Sequence, residues 1–167
     1  MRRNLRDIIF QFNILSGLHR YYISRAANSL GIYRGQPQIM DYLIKNGEST
    51  QRELADYLHV SPASVAVSVK RMAKAGLLEK SANENDLRFN KIKITPKGVE
   101  IEKACRAEFD KIDRRMFSGF SQEELEIFSD FLERINKNLS GDDVDTEQVL
   151  DMLRHEEEKK KHEGEER

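Results

Sequence analysis

Tryptophan is missing from this chain, cysteine occurs once and proline three times. No apolar run approaches the roughly 20 residues that span a bilayer. Each scarcity excludes something. Cys105 alone cannot form an intramolecular disulfide, so a reducing compartment is expected. Few prolines, with 34% charged and 38% hydrophobic residues, favour a charged, mostly helical protein over a sandwich or barrel. The first residues, MRRNLRDIIFQFN, start like a secretory signal, but Asp7, Gln11 and Asn13 interrupt the apolar run and no small-residue cleavage site follows. A cytoplasmic location is therefore expected, with no membrane partner. The motifs of catalysis are missing too: no Gly-rich phosphate loop, no nucleophile elbow, no carboxylate pair at catalytic spacing. Neither enzyme activity nor a cofactor is expected. His19, His59, His155 and His162 are scattered without ligand-like spacing, so no metal is expected either.

What is present is an uneven distribution of charge. Across 167 residues the net charge is only −1, yet residues 140–167 carry eleven acids against five bases. Residues 61–97 hold eight bases against three acids. A basic segment on a neutral body is the electrostatic footprint of a polyanion-binding surface, although many solvated faces share it.

Hydrophobic periodicity divides the chain. Leu5, Ile8, Ile9, Phe12, Leu15, His19, Tyr22, Ile23 and Ala26 recur at helical steps, predicting a long first helix that ends near Gly31. Pro37 opens a second helix, with Ile39, Met40, Leu43 and Ile44 on one face and Gly47 as its stop. Thr50 and Glu53 form a capping box for a short third helix with Leu54, Ala55 and Leu58 inward. After a turn at His59 and Val60, Ser61-Pro62 caps a fourth helix that Gly76 ends. Two short helices across so tight a turn have helix-turn-helix spacing. Leu77-Leu78, a polar turn over 81–85 and the alternating run 89–95 predict a two-stranded wing. Thr95-Pro96 and Ser121 with Glu124 start two further helices, carrying Val99, Ile101, Cys105, Phe109, Ile112 and Met116, then Leu125, Phe128, Phe131, Leu132, Ile135 and Leu139. The acidic tail has one amphipathic turn, 149–153, which either clasps a dimer or is solvated like the rest.

On a helical wheel the fourth helix separates into two faces. Val65, Val69, Met72 and the Gly76 position form the core stripe; Ala63, Val67, Lys70 and Lys74 lie opposite, flanked by Ser64 and Arg71. On a helix entering a major groove, Ala63 and Val67 can meet thymine methyls, hydroxyls can serve bases or phosphates, and Lys70 or Arg71 can reach guanine edges or the backbone. A solvent-exposed helix with one stray valine is the plainer alternative.

The segment ELADYLHVSPASVAVSVKRMAKAGLLEK, followed by the spaced residues of NDLRFNKIKITPKG, resembles the winged helix-turn-helix regulators of the MarR family. The resemblance covers the element order to about residue 139. Its sharpest part is Asp86-x-Arg88 with Ile92-x-Ile94-Thr95-x-x-Gly98, similar to the family's wing signature, in which the aspartate braces the wing and the arginine enters the minor groove. The resemblance implies a homodimer on pseudo-palindromic double-stranded DNA. The expected domains are dimerisation helices at 1–31 and 97–139, a winged helix-turn-helix at 32–96 and a charged tail at 140–167. Surplus apolar stripes over 5–26, 101–116 and 125–139 independently call for a second chain, or for an intramolecular bundle. The expected DNA-binding set is Ser61, Pro62, Ala63, Ser64, Val67, Lys70, Arg71, Lys74, Asp86, Arg88 and Lys91.

The chain departs from the family pattern in places. Leu87 and Phe89 flank Arg88 where several members are more basic, and the tail is longer and more acidic. Redox-sensing members carry a cysteine near the N-terminal helices, and this chain has none there; Cys105 is expected to be an inert, inward-facing hydrophobe. A pocket for a small-molecule effector is a family expectation; His19, Tyr21 and Tyr22 either line one or belong to ordinary core and dimer surface. The function expected is sequence-specific transcriptional regulation, as a repressor in most such proteins. A winged-helix protein-interaction module or antagonist that does not bind DNA, with the acidic tail competing for the basic wing, is the competing reading.

Overall fold

The computed structural model describes residues 4–33, 35–82 and 90–140. Among them are six helices and one two-stranded antiparallel sheet: α1 (Leu5–Ser29), α2 (Gln36–Asn46), α3 (Gln51–Leu58), α4 (Pro62–Lys74), β1 (Leu78–Ala82), β2 (Asn90–Ile94), α5 (Pro96–Met116) and α6 (Gln122–Ser140). The chain is thus mostly α with a small β wing, as its periodicities predict.

Local chemistry sets the helix starts. Thr50 accepts from the Glu53 N–H while Glu53 accepts from the Thr50 N–H, closing the capping box of α3. Ser121 and Glu124 do the same for α6. Asn4 and Asp7 form a third box at the start of α1. Ser61 and Thr95 cap α4 and α5, each with proline in the first turn, where the missing N–H would have had no partner.

Three helix ends share one device. Ile32, Val60 and Leu77 each donate their N–H to a carbonyl five residues back, Ala27, Ala55 and Met72 respectively. The residue just before each is left-handed: Gly31, His59 and Gly76. Each bond turns the chain so that the following apolar residue drops inward; Ile32 and Leu77 are buried.

The core lies beneath the helix-turn-helix. Ile39, Met40 and Leu43 of α2, Leu54, Ala55 and Leu58 of α3, Val65, Val69 and Met72 of α4, Leu78, Ile92 and Cys105 close on one another. β1 pairs with β2 with Leu78 opposite Ile94 and Lys80 opposite Ile92. On the other edge of β2, Ser49 exchanges backbone hydrogen bonds with Ile92, N to O at 3.0 Å and O to N at 2.6 Å. That bridge ties the wing to the chain entering α3.

Three details differ from expectation. Ile44 is exposed rather than inward, because α2 already fills its inner face with Ile39, Met40 and Leu43. Gly76 is not on the core stripe of α4: the helix stops at Lys74, and Gly76 is an exposed left-handed residue beyond it. β1 continues through Ala82, beyond the expected turn start at 81, because its ladder with β2 persists to Asn90.

α6 stands apart from this core, and α1 joins it only near its C-terminal end. α6 buries no residue, and α1 buries only Ala27. Phe12, His19, Ile23 and Ala26 are half-buried along one side of α1, the side from which His19 bonds Asp113 of α5. Phe10, Ile14, Leu18 and Tyr21 form a second, exposed stripe on the opposite side of α1.

Gly98 has no room for a side chain. A Cβ there would overlap the Leu77 carbonyl and the Ile94 side chain. Gly98→Ala is therefore expected to destabilise the protein by about 1–3 kcal/mol, the range for overpacking. Thermal or urea denaturation checks this, and an unchanged midpoint would show that the junction yields freely.

Candidate nucleic-acid interface

Helix α4 owes its position to its inner stripe. Val65, Val69 and Met72 are each 1% exposed or less, which fixes the rotation of the helix about its axis. The opposite face is thereby presented to solvent: Pro62, Ala63, Lys70, Arg71 and Lys74 are exposed, and Val67 is 60% exposed. Ser61 and Ser64 share a hydroxyl bond of 2.9 Å, and the Ser61 oxygen also accepts the Ser64 N–H at 3.2 Å. The Ser61 oxygen is thus committed to the cap, with a hydroxyl pair left at the helix entrance.

The far end of α4 is held by the start of α5. Lys97 donates from Nζ to the Ala75 carbonyl at 2.8 Å, while the Thr95 hydroxyl lies 2.7 Å from the Gly76 oxygen and 3.1 Å from the Leu77 oxygen. Lys97, counted in the basic segment, is therefore engaged with a helix C-terminus, where a cation is favourable. Lys91 sits beside Glu48, with its nitrogen 3.7 Å from the carboxylate, at the foot of β2. Arg71 lies over the Tyr33 ring, its guanidinium carbon 4.7 Å from the centroid. Asp86 and Arg88 lie outside the described residues.

The structure thus brings Ser61, Pro62, Ala63, Ser64, Val67, Lys70, Arg71 and Lys74 onto one helix, and sets Lys91 apart on the wing strand. Sequence reasoning missed Tyr33, Glu48 and the capping role of Lys97. All three depend on contacts between residues more than 20 positions apart, and no local pattern marks such pairs. Chemically, the α4 face combines small apolar groups, hydroxyls and cations, the set suited to base edges and phosphates in a major groove.

Two clusters brace the platform. Glu53 accepts from the Thr50 N–H at 2.7 Å, the Ser49 hydroxyl at 3.0 Å and the Thr50 hydroxyl at 3.1 Å. The Thr50 backbone bond foremost, then those two hydroxyls, hold the Glu53 carboxyl below its ordinary value against a small opposing effect of burial. Arg106 donates to Glu102 at 2.6 Å and to Asp41 at 2.9 Å, while Lys45 reaches Asp41 at 2.7 Å, joining α5 to α2. Burial would raise the Asp41 carboxyl, but the bonds from Lys45 and Arg106 together outweigh it and hold it low. Burial, with Glu102 adding to it, pushes the Cys105 thiol up, and its 1% exposure fits an inert core position. His19 bonds Asp113 across α1 and α5 at 3.0 Å; Arg115 lies over the Tyr22 ring, and Tyr21 packs edge-on against Tyr22. An open concavity of about 550 Å³ runs along α1 between Gly17 and Asn28, lined by Arg20, Tyr21, Ser24 and Arg25.

Comparison with known proteins places this geometry. The MarR family model matches residues 30–88. The chain is 28% identical over 113 residues to an uncharacterized HTH-type transcriptional regulator, YybA of Bacillus subtilis (strain 168), covering 68% of this chain and 75% of YybA. Among solved structures, the Bacillus subtilis YusO protein is similar with a TM-score of 0.73 at 20% identity, covering 80% of this chain and 94% of YusO. A mutant of S. aureus MepR bound to an oligodeoxyribonucleotide is similar with a TM-score of 0.64 at 21% identity, covering 79% and 97%.

Acid should act through the braces. The folded chain keeps Glu53 and Asp41 ionised to lower pH than the unfolded chain does, so the unfolded state takes up protons first. Their contribution is present above the ordinary values of 4.5 and 3.8 and is lost as pH falls through the lower folded values. Glu53→Gln is expected to lower the melting temperature at pH 7 and to flatten its decline between pH 6 and 3. Parallel melting curves for mutant and wild type over that range would remove Glu53 from the account.

Proposed function

We propose that this chain, which the MarR family model matches over residues 30–88, is a winged helix-turn-helix transcriptional regulator of that family, and that it binds pseudo-palindromic duplex DNA as a homodimer and acts as a repressor. The observation that carries the DNA-binding surface is Val67: a valine 60% exposed on the outer face of α4, between Ala63 and the cations Lys70 and Arg71, while the inner stripe of the same helix is buried. A helix with its core side satisfied has no structural use for that valine. In a major groove it meets a thymine methyl, and the neighbouring cations neutralise phosphates. Asp86 and Arg88 complete the proposed surface as the wing contact, Arg88 responding to minor-groove width.

The homodimer reading rests on the two stripes of α1. α5 packs against α1 on the side of His19, while Phe10, Ile14, Leu18 and Tyr21 stay exposed among the described residues and α6 buries nothing. Covering four such side chains is worth roughly 6–12 kcal/mol before the costs of association. A second copy supplies the same surface in return, which is the logic of a two-fold interface. Such a dimer would set two α4 helices about one DNA turn, ~34 Å, apart. An effector, on this reading, would act where α1 meets α5 and along the concavity beside Tyr21. No described helix is long and apolar enough to cross a membrane; the proposed place of work is the cytoplasm, and the proposed role needs no catalytic step.

The direct test is a mobility shift on the DNA upstream of the protein's own coding sequence over a salt series. Binding that falls steeply with salt is expected. No shift with the full chain, and none after removal of residues 141–167, would sink the reading in favour of a protein-interaction module. Val67→Ser should change preference at one base position and leave the salt slope unchanged, since no charge is altered; uniform loss over all sequences would make Val67 a packing residue. Arg88→Ala should weaken binding broadly, with lost selectivity confined to A·T-rich flanks, and equal affinity at moderate salt would reject the wing contact. Leu18→Glu should turn the dimer into a monomer in sedimentation equilibrium and reduce DNA affinity more than about tenfold.

A further inference from the structure

We propose that Tyr33, on the connection between α1 and α2, is a positioning residue for Arg71, holding its guanidinium as a pre-aimed fork for a guanine edge. The proposal rests on the DNA-binding reading of α4. Tyr33 is 50% exposed, so core packing does not account for it. Its backbone, however, is clamped on both sides. The preceding Ile32 is buried and bonded to the Ala27 carbonyl at 3.0 Å. The Tyr33 N–H donates to Gln36 Oε1 at 3.0 Å, and the Tyr33 carbonyl accepts the Gln36 N–H at 3.1 Å, with Gln36 itself 2% exposed. A half-exposed ring on an immobilised base is a platform, and the guanidinium of Arg71 lies 4.7 Å from its centroid.

The kind of contact matters. A carboxylate partner would occupy the in-plane N–H groups of an arginine, whereas an aromatic face covers only the flat side and leaves all five donors open at the edge. Those are the donors that pair with O6 and N7 of guanine. A free arginine also loses rotamer entropy when it is fixed on DNA; stacking before binding removes part of that loss. Arg71 follows Val67 by four residues, so the two are neighbours on the outer face of α4. The fork is therefore placed to act on a base pair adjacent to the one that Val67 meets. The platform comes from a segment 38 positions earlier in the chain, outside the helix-turn-helix proper.

The test uses the full-length protein and a duplex selected from a random pool by the wild type, with each base pair then varied in turn. Tyr33→Phe keeps the ring and should bind as wild type does. Tyr33→Leu should lose roughly five- to tenfold on the selected duplex, the scale of a partly desolvated cation–π contact. The loss should vanish on a duplex in which one particular G·C pair is replaced, the same pair at which Arg71→Ala loses preference. The double variant Tyr33→Leu with Arg71→Ala should be no worse than Arg71→Ala alone. In the free protein, the Arg71 side-chain methylene protons should show an upfield ring-current shift that Tyr33→Leu abolishes and Tyr33→Phe retains.

Additive losses in the double variant, equal loss across all duplexes, or a wild-type protein without the ring-current shift would each overturn the positioning role. Tyr33→Phe as damaging as Tyr33→Leu would overturn it too, by assigning the effect to the hydroxyl. A wild type that binds no duplex brings down the DNA-binding reading itself, and this one with it; tight wild-type binding with additive losses brings down the stack alone.

Discussion

The carbonyl of Leu77 is where α4, the wing and α5 meet. Leu77 donates its N–H to Met72 to close α4, and its oxygen accepts the Thr95 N–H at 3.0 Å beside the Thr95 hydroxyl. Immediately beyond, Gly98 lies so close to that oxygen that no side chain fits. The Thr95 hydroxyl accepts from the Gly98 N–H, and so caps α5 while gripping the end of α4. Two residues after Thr95, Lys97 reaches back to Ala75. Without this knot, the inner stripe of α4 would still be apolar, but nothing would set the angle between α4, β1 and α5.

Beyond the knot, two polar clusters extend its rigidity in opposite directions. Ser49 and Glu53 tie the start of α3 to β2, so the first helix of the helix-turn-helix and the wing share a hydrogen-bonded seam. Arg106 bridges Asp41 and Glu102, so the second quarter of α5 is fastened to α2. Glu102 is 7% exposed, and breaking one partner of such a buried charge leaves the other uncompensated. The winged unit and the first half of α5 therefore behave as one block. α1 meets that block through its C-terminal turn and along α5, with His19 and Asp113 as a polar contact between the long helices.

Much of this was legible in the residues, and the division is physical. Caps are local: Thr50 with Glu53, Ser61 with Pro62, Thr95 with Pro96 and Ser121 with Glu124 each satisfy orphan backbone groups within three residues, so spacing alone reveals them. The rotation of α4 was equally readable, since Val65, Val69 and Met72 recur with the helical period. Ile44 misled because periodicity says which residues share a face but not how wide the covering neighbour is. The wheel extended α4 two residues too far, since it cannot see the left-handed turn that takes Gly76 off the helix. Contacts such as Tyr33 with Arg71, Glu48 with Lys91 and Lys97 with Ala75 exist only once the chain has folded. No pattern within either segment announces them.

The two faces of α4 also bear on how such a protein diverges. Its inner residues are hemmed in by the core, so substitutions there cost stability. Its outer residues Ala63, Val67 and Lys70 are exposed, and substitutions at such positions typically change stability by less than about 0.5 kcal/mol. A duplicated copy of this chain can thus wander toward a new target without passing through an unfolded ancestor. Position 71 is the exception, because its arginine leans on a tyrosine from another part of the chain. There, drift is expected to be paired, with a change at 71 releasing 33 to change in turn.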